Sequence, residues 1–262
     1  MRPTDRHPDL RAPHDASEII GYAYRLYARN FRAMFLIGLT TAPLQMLGAV
    51  VQDRIGTPNG ATAALPFEVA GALVTLIASG ALIFAVNDVA SGQAPDFGRS
   101  LDAAFARFGA LLTTNLLSAV LTLLSVIGIP YFAVRWNFSP QAVIIEGKRN
   151  WAALDASSSI VKGRWWRTLG VLLLIVMVAF VPLIAIGAAS LLPTLAATTI
   201  ASAGLALVLP FIVSGQTLLY YDLRARTLLA ATAGGVMPPL EQPEEAPRQA
   251  GADGGDPHRP DE

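Results

Sequence analysis

The stretch TLGVLLLIVMVAFVPLIAIGAASLLPTLAATTIASAGLALVLPFIVSGQTLLYY, from Thr168 to Tyr221, contains no charged side chain. Lys162, Arg164 and Arg167 close it at one end, and Asp222, Arg224 and Arg226 at the other. A helix crosses the hydrocarbon of a bilayer in about 20 apolar residues. The stretch is therefore long enough for two crossings, with Ser190 to Thr194 as the turn and Pro193 breaking the helix there. The expected fold is all-α, a polytopic membrane helical bundle.

Composition agrees. Hydrophobic residues make up 53% of the chain, charged residues 15%, and the mean hydropathy is +0.48, which leaves too little polar surface for a soluble domain of 262 residues. The formal net charge of zero averages basic membrane flanks against an acidic tail holding Glu241, Glu244, Glu245, Asp253, Asp256, Asp261 and Glu262. The chain has no cysteine, which removes disulfides, thiolate metal sites, thiol nucleophiles and palmitoylation. Lys148 and Lys162 are the only lysines while arginine and alanine abound, a bias that fits a GC-rich bacterial genome. The first 30 residues lack the apolar core of a cleavable signal peptide, so the first crossing is expected to direct insertion.

Charge-free windows predict six crossings, at about 31–51, 67–90, 109–127, 131–145, 168–190 and 195–221. The fourth is the shortest and carries Arg135, Asn137 and Pro140; the alternative is one long kinked third helix followed by an interfacial segment. Basic residues arbitrate. Arg25, Arg29 and Arg32 precede the first crossing, Arg99 and Arg107 follow the second, Lys148 to Arg167 separate the fourth from the fifth, and Arg224 and Arg226 follow the sixth. Six crossings gather all four groups on the cytoplasmic side of an inner membrane, whereas five split them. Both termini are then cytoplasmic, Asp53, Arg54 and Glu68 lie in the first outer loop, and Gly128-Ile129-Pro130 is an outer turn. Residues 1–14 and the Pro- and acid-rich segment 231–262 are expected to be disordered, leaving 15–230 as the helical transmembrane domain.

Before crossings one, three and five the chain repeats a pattern. Asp15 to Asn30, Ser100 to Phe108 and Trp151 to Gly163 each open near a capping residue, continue amphipathically and end in a basic and aromatic cluster. Each is predicted to be an amphipathic interfacial helix, with Trp165 and Trp166 as anchors at the headgroup level. The pattern is either a threefold repeat of interfacial helix and hairpin or the ordinary lead-in of helices entering a bilayer.

Ionisable groups near membrane helices are the candidate contacts. Arg135 lies near the outer end of the fourth crossing, where it either snorkels to the interface or meets an anionic substrate. Its spacing from Glu146 along a continuous helix precludes a direct pair. Asp88, Glu146 and Asp222 end the second, fourth and sixth crossings beside Lys148, Arg149, Arg224 and Arg226. This layer reads as an ion-pair network fixing helix ends, or as a docking ring for anionic lipid headgroups. Within the crossings, Gln45, Thr113, Thr114, Asn115 and Gln216 are candidates for interhelical contacts, and Pro43, Pro182 and Pro210 for kinks that free backbone carbonyls.

Catalytic patterns are missing from the sequence. His7, His14 and His258 all fall in the predicted tails, and there is neither a phosphate-binding Gly-Lys-Ser loop nor a Gly-x-Ser-x-Gly elbow. Basic residues are spread over four flanks instead of one face, which argues against nucleic acid as a partner.

Three segments, RWNFSPQAVIIEG (Arg135 to Gly147), LDASSSIVKGRWWRTLGVLLL (Leu154 to Leu174) and TLLYYDLRAR (Thr217 to Arg226), together resemble a bacterial family. It comprises the membrane domain of glycerophosphoryl diester phosphodiesterase and related six-helix inner-membrane proteins of unknown function. The resemblance spans about Ile19 to Arg226. It implies the six-helix fold, but not the activity, which in the full-length relatives belongs to a separate soluble barrel. The acidic tail here leads to the expectation that no such barrel follows and that no catalytic residue or cofactor carries over.

The leading expectation is a non-enzymatic integral membrane protein that engages lipid or scaffolds envelope proteins, with membrane lipids, other membrane proteins or its own copies as partners. The second is a small transporter or channel for an anionic or lipidic substrate. The third is a lipid-modifying enzyme using Asp88, Glu146 or Asp222.

Overall fold

The structure is a computed structural model that describes residues 13–56, 59–125, 128–188, 192 and 194–233. Among these residues it is all-helical, with no strand. In chain order the helices are α1 (Ala16–Arg29), α2 (Phe31–Leu39), α3 (Ala42–Ile55), α4 (Asn59–Ala90), α5 (Phe97–Ala106), α6 (Phe108–Leu124), α7 (Ile129–Trp136), α8 (Ser139–Glu146), α9 (Asn150–Val161), α10 (Trp165–Ala188) and α11 (Thr194–Ala233). The chain forms two compact units, residues 1–227 and 228–262. In the second, described only at Leu228–Ala233, the Thr232 hydroxyl bonds back to the Leu228 and Leu229 carbonyls.

Among the described residues three helical stretches are long and apolar enough to cross a membrane: Phe31–Ile55, Ala61–Ala90 and Ala196–Ala233. Counting each bent pair, α5 with α6 and α9 with α10, as one span raises the number to five. Outward-facing side chains suit a lipid solvent. Leu123 and Leu124 on α6 are 73% and 75% exposed, and Met177 on α10 is 68% exposed, a surface that water would penalise and acyl chains accept. Polar residues inside the helices join neighbours, as expected for helices packing in lipid. Ser202 on α11 donates to Gln45 Oε1 on α3 at 3.2 Å, and the Thr114 hydroxyl accepts the Asn150 N–H at 2.9 Å.

Proline placement shapes the helices. Pro43, Pro130 and Pro140 sit in the first turns of α3, α7 and α8, where a missing N–H costs nothing. The expected kink at Pro43 is thus a helix start after the break at Thr40 and Thr41. Pro210 lies inside α11 and has no N–H to return to the Ala206 carbonyl one turn earlier. Gly38 of α2 packs on that carbonyl, and a Cβ at position 38 would sit 2.6 Å from the Ala206 oxygen.

The segment 131–145, expected as the fourth crossing, is not among the candidate spans of the described residues. Two eight-residue helices, α7 and α8, occupy the segment, and each is far too short to span a bilayer. After α8, Gly147 adopts a left-handed conformation (φ 69°) and reverses the chain, so that α9 packs back along α8 and α7. The Ser157 hydroxyl donates to the Arg135 carbonyl at 2.8 Å and accepts the Phe138 N–H at 3.1 Å. Tyr131 stacks on Trp165, with ring centroids 5.9 Å apart.

The three lead-in segments are helical as expected, and are α1, α5 and α9. α5 packs extensively on α4, and α9 buries Ala153, Leu154, Ala156, Ser157, Ile160 and Val161 while exposing Trp151, Asp155 and Ser159. α9 meets α10 at 99° and α5 meets α6 at 63°. His14, placed in the N-terminal tail by the sequence reading, is hydrogen-bonded to Asp222, Arg167 and Arg226. α11 also continues beyond the expected end at 221 and past Ala231. The rest of both tails and most of the turn expected at 190–194 lie outside the described residues.

Candidate functional site

Asp88 and Asp222 are buried and Glu146 is half-buried, and each carboxylate is met by its own cations. Asp88 sits near the end of α4. The chain turns at Gly92 (φ 78°), and Asp96 caps α5 by accepting the Arg99 N–H at 2.8 Å. This turn carries Arg99 back over α4, where its Nη2 lies 2.7 Å from Asp88 Oδ2 and 3.0 Å from the Ala94 carbonyl.

Glu146 is the last residue of α8, where the helix dipole disfavours an anion. Two cations offset this. Lys148 Nζ, delivered by the Gly147 turn, lies 2.7 Å from Oε2, and Arg224 Nη1 lies 3.5 Å from Oε1. The Tyr220 hydroxyl also donates to Oε1. Burial pushes the Glu146 carboxyl up, but the hydrogen bonds from Lys148 and Tyr220 and the charges of Arg224 and Lys148 outweigh it and hold the group below its ordinary value.

Asp222 is the most enclosed, at 2% exposure. Arg226, one helical turn on, places Nε 3.1 and 3.0 Å from its two oxygens. Arg167 Nη2 approaches at 3.3 Å, and the His14 N–H donates at 2.7 Å. The His14 carbonyl accepts from Arg167 at 2.6 Å and from Arg226 at 2.9 Å, closing the network. The His14 imidazole stands edge-on to Tyr22, with centroids 5.3 Å apart.

α11 connects the three sites. Consecutive helical residues point about 100° apart, so Tyr220, Tyr221 and Asp222 reach three different neighbours. Tyr220 meets Glu146 of α8, Tyr221 donates to Asn87 Oδ1 of α4 at 2.6 Å, and Asp222 meets Arg167 of α10 and His14. The charged layer read from the sequence is thus three ion-pair clusters tied together by one helix.

The other candidates are less engaged. Arg149 is exposed and makes no ion pair among the described residues. Arg135 is half-buried; its Nη1 lies 3.3 Å from the Tyr131 hydroxyl and its guanidinium 5.9 Å from that ring's centroid. Glu146 pairs instead with Lys148 and Arg224. Trp165 donates its indole N–H to the Tyr131 carbonyl at 3.3 Å and stands edge-on to Trp166, which is 79% exposed.

Sequence reasoning did not single out Tyr220, Tyr221, Asn87, His14, Arg99 or Arg167 as site residues. The available signal was the pair of phenols beside Asp222 at the end of an apolar run, since buried hydroxyls need partners. Each carboxylate is engaged by ion pairs and hydrogen bonds that link separate segments of the chain. Among the described residues no cluster of three metal-ligating side chains forms. No family model, no curated protein and no solved structure matches the chain.

Proposed function

We propose that this chain is a multi-pass protein of a bacterial inner membrane that works without catalysis, as a lipid-engaging or scaffolding component of the envelope. The observation that carries the reading is the use of Tyr220, Tyr221 and Asp222 to bind α4, α8, α10 and the N-terminal segment at one level. Side chains that join helices distant in sequence serve architecture. The resemblance of the three motifs to the phosphodiesterase membrane-domain family supports the same reading.

The topology we propose keeps both ends of unit 1 on the cytoplasmic side but replaces six crossings by four. Phe31–Ile55, Ala61–Ala90, α10 and α11 cross, and the segment from α5 to α8 enters and leaves on one side. Asn87 and Glu146 bond adjacent residues of α11, so the chain between them starts and finishes at one level. The basic flanks then still gather on one side.

The test combines stability with turnover. Asp88→Asn, Glu146→Gln and Asp222→Asn are each purified, melted in detergent, and incubated with bilayer phospholipids analysed by mass spectrometry. The scaffold reading expects lower melting temperatures and no lipid product from any form. A product made by the parent protein and lost in a variant that melts normally would establish an enzyme instead.

A further inference from the structure

An open cleft of about 510 Å³ lies where α9 turns into α10, lined by Gly163, Arg164, Trp165, Trp166, Arg167 and Arg226. Gly163 makes the turn in a left-handed conformation (φ 77°) that side chains oppose, and the next four residues all face the cleft. Three guanidinium groups line it, and among the described residues Asp222, paired with Arg167 and Arg226, is the carboxylate in ion-pair contact with them. Arg164 forms no ion pair among the described residues. It donates to the Thr227 hydroxyl at 3.4 Å and the Arg226 carbonyl at 3.1 Å, which hold its head in place without neutralising it. Arg167 keeps its Nε–H buried without a hydrogen-bond partner, an unmet donor of the sort that marks a missing acceptor.

The position of the cleft suits one ligand chemistry. The charge-free run of α10 begins at Thr168, immediately after Arg167, so the cleft sits at the edge of the apolar layer, where lipid phosphates lie. Trp166 projects there exposed, and indoles prefer that depth. Arginine forks match phosphate oxygens in geometry and charge. We infer that this cleft binds a phosphate group, carried by the headgroup of an anionic phospholipid. Arg164 supplies the free charge, Arg167 and Arg226 complete the wall, and the tryptophans flank the acyl chains. The inference rests on the membrane-embedded reading proposed above, and names the lipid class and its place on the protein.

Arg164 is the residue to change, because Arg167 and Arg226 also hold Asp222 and their loss would disturb folding. The full chain in detergent is titrated with phosphatidylglycerol or phosphatidylcholine and adducts are counted by native mass spectrometry. The same samples are reconstituted and floated with vesicles to confirm embedding. The expected result is one retained phosphatidylglycerol, bound about fivefold more weakly by Arg164→Gln, the factor for one basic contact to an anionic headgroup. Arg164→Lys should recover part of the loss, and Arg29→Gln, which alters an exposed arginine on α1, should bind like the parent. Glycerol 3-phosphate added at equal concentration separates the sources: failure to displace the lipid supports the headgroup, and full displacement overturns the lipid assignment in favour of a soluble phosphate ester. Equal binding of the two lipids, or no effect of Arg164→Gln in a protein that floats with vesicles, overturns the site alone. A chain that does not float with vesicles overturns the membrane reading beneath it.

Discussion

Gly38 of α2 packs against the carbonyl of Ala206, which Pro210 has left without its usual helical partner. The close approach turns a defect in α11 into a helix–helix contact of the small-residue kind found in membrane bundles. Gly38→Ala would put a methyl 2.6 Å from that oxygen and drive the helices apart. We expect a loss of about 1–3 kcal/mol, measured by thermal unfolding in detergent. Gly71→Ala, at a position with nothing within 4 Å of the new Cβ, should be neutral or slightly stabilising.

Ser157 satisfies two backbone groups at the break between α7 and α8. Ser157→Ala leaves both without that partner in a buried setting, and the expected loss is about 2 kcal/mol. Ser159→Ala, on the exposed side of α9, should change the melting temperature little. Equal melting of the two variants would contradict the fold-back of α9 on α7.

The carboxylates should differ in the cost of their removal. Asp222→Asn strips the anion from Arg167 and Arg226, whose side chains are 30% and 24% exposed. Breaking such an enclosed group costs about 3–5 kcal/mol. Arg99 is 47% exposed and water can solvate it, so Asp88→Asn should cost about 1 kcal/mol. Chemical denaturation of the two variants side by side gives the order.

Acid should loosen the Glu146 cluster. The folded carboxyl is held below its ordinary value of 4.5, so its stabilising contribution is fully present above the unfolded value and disappears as pH falls through the folded one. Tryptophan fluorescence melts from neutral pH downwards should show stability declining below about 4.5, where unfolded carboxylates begin to take up protons. Glu146→Gln should be less stable at neutral pH and should flatten that decline.

The absence of cysteine makes the topology accessible to single-cysteine labelling. Ser91→Cys and Asp155→Cys, both exposed, should react with an impermeant maleimide from one side of the membrane, and Arg54→Cys from the other. Leu124→Cys, at the end of α6, decides between topologies. Reaction on the Arg54 side restores a six-crossing pattern, whereas four crossings with a segment entering and leaving on one side predict no reaction there.

The charge-free run from Thr168 to Tyr221 made α10 and the body of α11 legible, because lipid demands a long apolar stretch and little else resembles one. The boundary carboxylates were legible for a related reason, since a buried charge must be paired. Their partners were not. Periodicity shows which face of a helix is apolar, but gives no information on which residue opposes it, so the Tyr220–Glu146 and Tyr221–Asn87 bonds had no local signal. The fold-back of α7 and α8 was hidden because Arg135, Asn137 and Pro140 suit a kinked crossing as well as two short helices; long-range bonds to Ser157 choose between them. His14 was assigned to a tail on composition, while its bonds to Asp222, Arg167 and Arg226 use only its backbone N–H and carbonyl, a pair of groups every residue but proline carries.

That docking has a temporal side. His14 leaves the ribosome 153 residues ahead of Arg167, the first of the three residues that hold it, and Asp222 and Arg226 follow later still. The clasp cannot close while insertion is in progress. It forms only after Asp222 has been made, and a chain cut short before that residue leaves α1 without this fastening.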